Sequence, residues 1–239
     1  MIKAANLAAL ALERRAVDRL RRFPRDPGLI VYSFRESISL LIRGLLRLYL
    51  RFEIIGAENL PVEKSFVLVA NHSSHLDALC LLAALPLRQL HRAFPVAAED
   101  YFFRRLPRTW FAAVVMNALP FGRELRVRES LSVCAQLLAE PGTVLIIFPE
   151  GTRSRSGELQ PFKPGIGALV AGRDVEVLPC RLEGTFRAWP KGRRFPRPRK
   201  VRLRIGAPRN FAARGAEKNE IASELRRAIA QLGESDGSD

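Results

Sequence analysis

The sequence predicts an α/β fold: a single domain with a central, largely buried β-sheet flanked by helices, behind an N-terminal amphipathic helical segment. Apolar runs of strand length alternate along the chain with longer helical patterns. Several of these runs end in polar loops, where α/β proteins place ligand groups. At 239 residues and 48% hydrophobic content, the chain is long enough for one such domain with a large core.

The strand predictions come from short apolar or alternating runs bounded by turn residues. Residues 143–148 are apolar nearly throughout, as in a strand buried on both faces. Pro179 predicts an end or an irregularity in its strand, because proline cannot donate to the ladder. The predicted strands are 52–55, 66–70, 93–98, 118–121, 143–148, 175–180 and the second half of 191–204.

The helix predictions rest on apolar periodicity and on Pro or Gly at the ends. The predicted helices are 1–24, 33–50, 78–85, 101–110, 126–139, 165–171 and 217–232. We expect three parts: an N-terminal helical segment over 1–50 that suits a membrane interface, a main domain over 51–232, and a disordered tail over 233–239.

The formal net charge of +15 implies an anionic partner. A membrane surface, nucleic acid, an acidic carrier protein and a phosphorylated substrate all fit, but no nucleic-acid-binding module is recognisable. Three cysteines, Cys80, Cys134 and Cys180, lie in apolar surroundings. Their odd number and scatter favour core residues in a reducing compartment over a disulfide framework. No uninterrupted apolar run reaches the length of a transmembrane helix.

Two stretches combine apolar and basic residues. The helix at 33–50 carries an apolar band with arginines along it, which suits either a membrane interface or packing on its own domain. The stretch 191–204 holds eight basic residues and no acidic one. Its candidate partners are anionic headgroups, which we favour, and the phosphates of coenzyme A or acyl carrier protein; a solvated face is the structural alternative.

A loop of seven residues, 71–77, carries the first chemical motif. His72 follows the strand at 66–70, and Asp77 falls in the first turn of the next helix. If His72 precedes the helix, the carboxylate can bond one imidazole nitrogen, fix the tautomer and leave the other nitrogen as a base.

Other interpretations of this loop remain open. Ser74 and Asp77 have the spacing of a capping box, in which Asp77 only closes a helix N-terminus. His72 could be an ordinary loop histidine. His72, His75 and Asp77 could also ligate a metal, although no further cluster completes a site.

Two more strand-end loops carry polar groups: Arg123 in one, and Glu150, Gly151 and Arg153 in the other. Arginine suits phosphate oxygens because its planar fork donates in parallel. A base and an anion clamp together support acyl transfer by direct attack of an acceptor hydroxyl on a thioester. Hydrolysis by the usual serine route is disfavoured, since the sequence lacks a plausible serine elbow of the form G-x-S-x-G.

The chain resembles the glycerolipid acyltransferases typified by 1-acylglycerol-3-phosphate acyltransferase, over about residues 50–210. Asn71-His72-x4-Asp77 is similar to the first block of that family, and the run from Phe148 to Ser154 matches the third almost letter for letter. Residues 177–180 resemble the fourth block. The second block is represented by residues 117–123, which keep Arg123 but have Asn117 in the place of the usual glycine.

The resemblance implies a role for each matched residue. His72 would be the general base and Asp77 its orienting carboxylate. The acceptor phosphate and glycerol backbone would be bound by Arg123, Glu150, Gly151, Thr152 and Arg153, with Lys163 and Gly165 as possible additions. Since a carboxylate repels phosphate, Glu150 is assigned to acceptor hydroxyls or to orienting Arg153. A backbone N–H of these loops would stabilise the oxyanion.

The function implied is acyl transfer from acyl-CoA or acyl-ACP to lysophosphatidic acid, giving phosphatidic acid, with no cofactor or metal. The enzyme would lie at the cytoplasmic face of a membrane, peripheral or monotopic, and would contact anionic lipids. Asn117 leaves other acceptors open: another lysolipid, an acylated amino-acid lipid or a glycolipid. A basic membrane-binding protein without enzymatic activity is the alternative from a different class.

Overall fold

The structure is a computed structural model that describes residues 29–98, 119–121, 127–213 and 215–234. The predicted helices at 1–24 and 101–110, together with Asn117 and Arg123, lie outside these ranges. The helices described are α1 (Leu29–Leu50), α2 (Asp77–Ala84), α3 (Val127–Leu138), α4 (Gly165–Val170), α5 (Thr185–Ala188) and α6 (Lys218–Glu234), with short 3-10 helices at Ala57–Asn59 and Leu87–Arg92.

The described residues form a seven-stranded sheet with the order β1-β7-β6-β2-β5-β3-β4. The strands are β1 (Glu53–Ile55), β2 (Phe66–Ala70), β3 (Ala93–Ala98), β4 (Leu119–Phe121), β5 (Val144–Ile147), β6 (Glu176–Glu183) and β7 (Arg202–Ile205). All neighbouring pairs are parallel except β6 and β7, which are antiparallel. β2 is therefore an interior strand, flanked by β5 and β6.

Alternate side chains of a strand point to opposite faces of the sheet. Both faces of this sheet are apolar, and helices pack on each of them. Phe66 and Leu68 of β2 belong to one core cluster, with residues of α1 and α2. Val67 and Val69 belong to the other, with residues of α3, α4 and α6. The resulting helix–sheet–helix layering is that of an α/β domain.

Most predicted elements are confirmed within a few residues, and those at 66–70 and 93–98 coincide with β2 and β3. Three boundaries are wrong. α1 begins at Leu29 instead of residue 33, α6 continues to Glu234 beyond the predicted start of the tail, and β6 runs past Pro179 to Glu183.

Pro179 does not interrupt β6 because of the side to which its backbone points. Its carbonyl accepts a hydrogen bond from the N–H of Gly206, at 2.8 Å, just beyond the end of β7. The nitrogen of Pro179 lies on the same side as its carbonyl, so its missing N–H removes no hydrogen bond from the parallel ladder with β2.

The register of β2 and β5 decides which loops meet. Phe66 pairs with Val144 and Val69 with Ile147, so the two parallel strands end at the same edge of the sheet. The loop 71–76 and the loop 148–154 leave that edge side by side, which is where open α/β sheets bind their ligands.

Candidate active site

The imidazole of His72 is held by a buried carboxylate. Its Nδ1 lies 2.8 Å from Oδ2 of Asp77, and the Asp77 side chain is fully buried while that of His72 is 23% exposed. A carboxylate accepts, so Nδ1 carries the proton and Nε2 keeps its lone pair. Nε2 has no hydrogen-bond partner among the described residues. The side chain therefore presents a basic nitrogen with a fixed tautomer.

The same carboxylate also binds the backbone of the loop that precedes α2. Oδ2 of Asp77 also accepts the backbone N–H groups of Ser73 and Ser74, each at 2.7 Å. Oγ of Ser74 accepts the N–H of Leu76 at 3.1 Å. The N-cap of α2 is Leu76, which makes no side-chain cap hydrogen bond. The dyad is therefore present, whereas of the two reciprocal bonds of a capping box only the one from the N–H of Ser74 to Asp77 is seen.

The ring of His72 is also fixed from its flat side. Phe148, the residue after β5, stacks on the imidazole with a centroid separation of 4.2 Å and an angle of 20° between the ring planes. An apolar ring at one face and a carboxylate at Nδ1 leave the imidazole little rotational freedom.

The loop after β5 holds the backbone of His72 on both sides. Oε1 of Glu150 accepts the N–H of His72 at 2.8 Å, and the N–H of Ser154 donates to the carbonyl of His72, also at 2.8 Å. Glu150 was expected at acceptor hydroxyls or against Arg153; the structure places it against His72 instead.

Glu150 is only 6% exposed. Burial raises the pKa of its carboxyl to about 7, and the hydrogen bond from the N–H of His72 opposes part of that rise. Its second oxygen, Oε2, is buried without a hydrogen-bond partner. A buried carboxyl of raised pKa directly behind a histidine is the kind of perturbed group that marks functional sites.

Arg153 contacts the loop of His72 through a second histidine. Its Nη1 lies 2.7 Å from a ring nitrogen of His75. The ring of His75 in turn lies against the indole of Trp189, with centroids 5.2 Å apart. The sequence presents His75 only as a possible metal ligand and gives no sign of Trp189, because the segment 184–190 approaches only in the folded chain.

The remaining predicted residues line the rim of the site. Gly151 has a φ of 73°, a backbone conformation that favours glycine, and a Cβ there would lie 2.8 Å from Nζ of the flexible Lys163 side chain. Thr152 and Lys163 are exposed, and the backbone N–H of Lys163 donates to the carbonyl of Pro149 at 2.9 Å. Gly165 opens α4. Arg123 lies outside the described residues.

Asn71 anchors the loop 71–76 to β6. Its side-chain amide donates to the carbonyl of Leu182 at 3.0 Å and accepts the N–H of Leu182 at 2.8 Å. Beside it, Oγ of Ser73 lies 3.3 Å from Oγ1 of Thr185. The loop is thus tied to β6 and α5 on one side and to residues 150–154 on the other.

Within the ranges described, no group of three or more side chains has the arrangement of a metal site. The groups that are brought together are a base, its carboxylate and two cationic side chains. They can remove a proton from a hydroxyl and bind an anion beside it. This combination is suited to general-base chemistry beside a bound anion.

The comparisons with known proteins agree with this class. The family model described as Acyltransferase matches residues 51–183. That range is more than half of the chain and takes in both the His72 and the Glu150 loops. The chain belongs to the acyltransferase family.

Its relatives have narrower names. The chain is 29% identical over 180 residues to the 1-acyl-sn-glycerol-3-phosphate acyltransferase alpha of Mus musculus, covering 72% of this chain and 60% of the mouse protein. It is 32% identical over 187 residues to the chloroplastic 1-acyl-sn-glycerol-3-phosphate acyltransferase LPAT1 of Arabidopsis thaliana, covering 77% of this chain and 49% of the plant protein. The chain thus matches about half to three fifths of these relatives' lengths.

The fold has a solved counterpart. The crystal structure of the 1-acyl-sn-glycerophosphate (LPA) acyltransferase PlsC from Thermotoga maritima superposes with a TM-score of 0.65, at 24% sequence identity and 100% coverage of both chains. The predicted α/β architecture is confirmed by this similarity.

Proposed function

We propose that the protein is an O-acyltransferase that moves a fatty acyl group from acyl-CoA or acyl-ACP to the free hydroxyl of 1-acylglycerol-3-phosphate, giving phosphatidic acid for phospholipid biosynthesis. The carrying observation is the His72–Asp77 pair, whose Nε2 is accessible while its carboxylate is buried. The acceptor is supported by the names of the relatives and by the cationic side chains on the rim of the site.

The geometry suggests a direct transfer. Nε2 of His72 takes the proton of the acceptor hydroxyl as its oxygen attacks the thioester carbonyl. Asp77 stabilises the imidazolium that forms. The tetrahedral intermediate collapses by breaking the carbon–sulfur bond, and the thiolate leaves with the proton from Nε2. No residue of the enzyme is acylated, and no cofactor or metal is proposed.

The acceptor phosphate is assigned to the cationic rim. Arg153 is positioned by His75, and Nζ of Lys163 lies beside the backbone at Gly151. Arg123 is assigned to the same rim from the sequence pattern alone. A neighbouring N–H or hydroxyl, with Thr152 as a candidate, would bind the glycerol oxygens, so that the phosphate fixes which hydroxyl reaches His72.

We place the enzyme peripherally or monotopically at the cytoplasmic face of a membrane. In the described ranges every helix is too short or too polar to cross a bilayer. α1 nevertheless exposes an apolar stripe, a set we call the α1 stripe: Phe34 (42%), Leu41 (63%), Leu45 (56%) and Leu48 (85%). Exposed leucines in one stripe, in a chain of charge +15, favour contact with anionic lipid.

The test is an acyl-transfer assay on the purified chain with anionic vesicles, using long-chain acyl-CoA or acyl-ACP and a panel of lysolipids. Free thiol and lipid products are followed together. We expect phosphatidic acid from the wild type. His72→Ala should lower turnover by about 10²- to 10⁴-fold, the usual contribution of a general base. His91→Ala, which alters a histidine outside the site, is the matched control.

The other outcomes separate the alternatives. Thiol release with a different lysolipid, an acylated amino-acid lipid or a glycolipid keeps the mechanism and replaces the acceptor. No product with any donor and acceptor, together with vesicle binding that is unchanged in His72→Ala, favours a membrane-binding protein without enzymatic activity.

A further inference from the structure

A cationic loop adjoins the site. It spans residues 190–200 and is called here the basic loop. Six of its residues are basic and none is acidic. Lys200 pairs with Glu53 at 2.7 Å. The others have no carboxylate within ion-pair distance among the described residues: Lys191, Arg193, Arg194, Arg197 and Arg199. Basic residues at this density, without carboxylate partners, make the loop attractive to an external anion.

The basic loop is joined to the C-terminal end of α1. The hydroxyl of Tyr49 donates to the carbonyl of Pro196 at 3.1 Å. One residue before Pro196, the ring of Phe195 is 67% exposed, and one residue before Tyr49, Leu48 is 85% exposed. The Tyr49–Pro196 hydrogen bond thus joins two separate segments that each carry an exposed apolar side chain, and the basic residues lie on one of these segments.

The N-terminal end of the basic loop is bonded to the loop 71–76. Oγ of Ser74 donates to the carbonyl of Trp189 at 2.7 Å, and Ser74 forms an antiparallel bridge with Pro190. Within the segment, the indole N–H of Trp189 donates to the carbonyl of Arg193 at 2.9 Å. Ser74 is two positions after His72, so a partner bound by the basic loop would lie on a segment that is hydrogen-bonded to the loop of His72.

We propose that the basic loop and the α1 stripe form one surface that docks on an anionic lipid bilayer and holds the loop of His72 at the level of the headgroups. This inference deepens the proposed function, since it supplies the membrane contact that a lipid acceptor requires. Cations flanking exposed leucines and a phenylalanine match a bilayer, where headgroups lie beside acyl chains. An acidic carrier protein would satisfy the cations and leave the α1 stripe in water.

The test is the triple variant Arg194→Gln, Arg197→Gln, Arg199→Gln in the full chain. Binding is measured by co-sedimentation with vesicles of phosphatidylcholine alone and of equal parts phosphatidylcholine and phosphatidylglycerol. Because each basic residue at an anionic surface contributes about fivefold, we expect affinity for the mixed vesicles to fall by about 100-fold. Binding to phosphatidylcholine alone should change little. Phe195→Ser should weaken binding to both.

The matched control removes the same charge from the opposite side of the sheet. Three exposed arginines serve for this: Arg128 in α3, Arg173 just after α4, and Arg227 in α6. These helices pack on the other face of the sheet. The triple variant Arg128→Gln, Arg173→Gln, Arg227→Gln should keep wild-type affinity to within a few-fold. Acylation in neutral detergent micelles, which need no docking, should be retained by both triple variants.

Several results would overturn the proposal. Equal losses in the two triple variants would show that net charge alone drives binding, and no loss in either would show that the basic loop is not the contact. Loss of activity in micelles with acyl-ACP but not with acyl-CoA would assign the loop to the carrier protein. Vesicle binding is scored without turnover, so failure of the proposed acceptor leaves this test intact.

Discussion

At the scale of single residues, the site depends on contacts that fix His72 from four directions. Asp77 bonds its Nδ1, Phe148 stacks on its ring, Glu150 accepts its backbone N–H and Ser154 donates to its carbonyl. A base held in this way loses little entropy on reaching the reactive geometry. Burial perturbs the ionisation of the Glu150 carboxyl, and this makes a prediction about pH.

Glu150→Gln should change how stability depends on pH. The pKa of this carboxyl rises from its ordinary value of 4.5 to about 7 through burial. The stability that the protonated group contributes is therefore fully present below pH 4.5 and is lost as pH rises through 7. Glutamine keeps an acceptor for the N–H of His72 and carries no charge. The free energy of unfolding of the variant, minus that of the wild type, should increase by about 2–3 kcal/mol between pH 5 and 8.

Urea denaturation at a series of pH values measures this difference. Glu58→Gln removes an exposed carboxylate and serves as the matched substitution. A difference for Glu150→Gln that stays flat over this range would mean that the carboxyl ionises normally, and its role would then be hydrogen bonding alone.

At the scale of elements, α1 divides its apolar residues between two environments. Leu46 and Leu50 are only 4% and 2% exposed, and they belong to the core cluster that also contains residues of α2. Leu41, Leu45 and Leu48, in the α1 stripe, are exposed. The helix therefore packs on its own domain along one side, as one of the two sequence interpretations has it. Its other side is exposed among the described residues and is the side that the proposed membrane contact uses.

Truncation of two leucines in α1 should affect two different properties, stability for one and membrane binding for the other. Leu46→Ala should lower the free energy of unfolding by about 2–5 kcal/mol, as large-to-small changes in a core do. Leu48→Ala should leave it within about 0.5 kcal/mol and should instead weaken co-sedimentation with vesicles. Thermal unfolding and vesicle binding of the two variants measure this. A stability loss at Leu48 equal to that at Leu46 would show that the α1 stripe is covered by the protein itself.

At the scale of the whole molecule, the sheet divides the interior into two apolar clusters, and the three cysteines are distributed between them. Cys80 and Cys180 belong to the cluster under α1 and α2, while Cys134 belongs to the one under α3, α4 and α6. All three are free and buried. Burial raises the pKa of Cys134 to about 12 and shifts the pKa values of Cys80 and Cys180 well upward.

Thiol labelling should therefore report unfolding of the whole domain. Only thiolates react quickly, and these thiols are both protonated and inaccessible in the native state. A chromogenic disulfide reagent should label none of them without denaturant and all three in it, with a midpoint that coincides with the loss of circular dichroism. Ala139→Cys, at an exposed position, gives the positive control. Rapid labelling of one native thiol would reveal that one face of the sheet opens independently.

The sequence predicted the strands and the dyad because both depend on local pattern. A run such as 66–70 is apolar enough to be a buried strand in any context, and His72 and Asp77 are only five residues apart. The resemblance that assigned their roles rests on equally short motifs. The predicted end of β6 was wrong, because it depended on the direction in which the backbone of Pro179 points relative to the neighbouring strands.

What the sequence by itself determined is which side chains stand at which strand ends, together with the charge of the chain. The tertiary structure alone decided that Glu150 bonds to His72 and Arg153 to His75, since each pair is separated by 78 residues and meets only through the register of β2 and β5. It also decided which leucines of α1 are exposed. The physical reason is the same in each case: hydrogen bonding and burial depend on neighbours that the chain brings together only by folding.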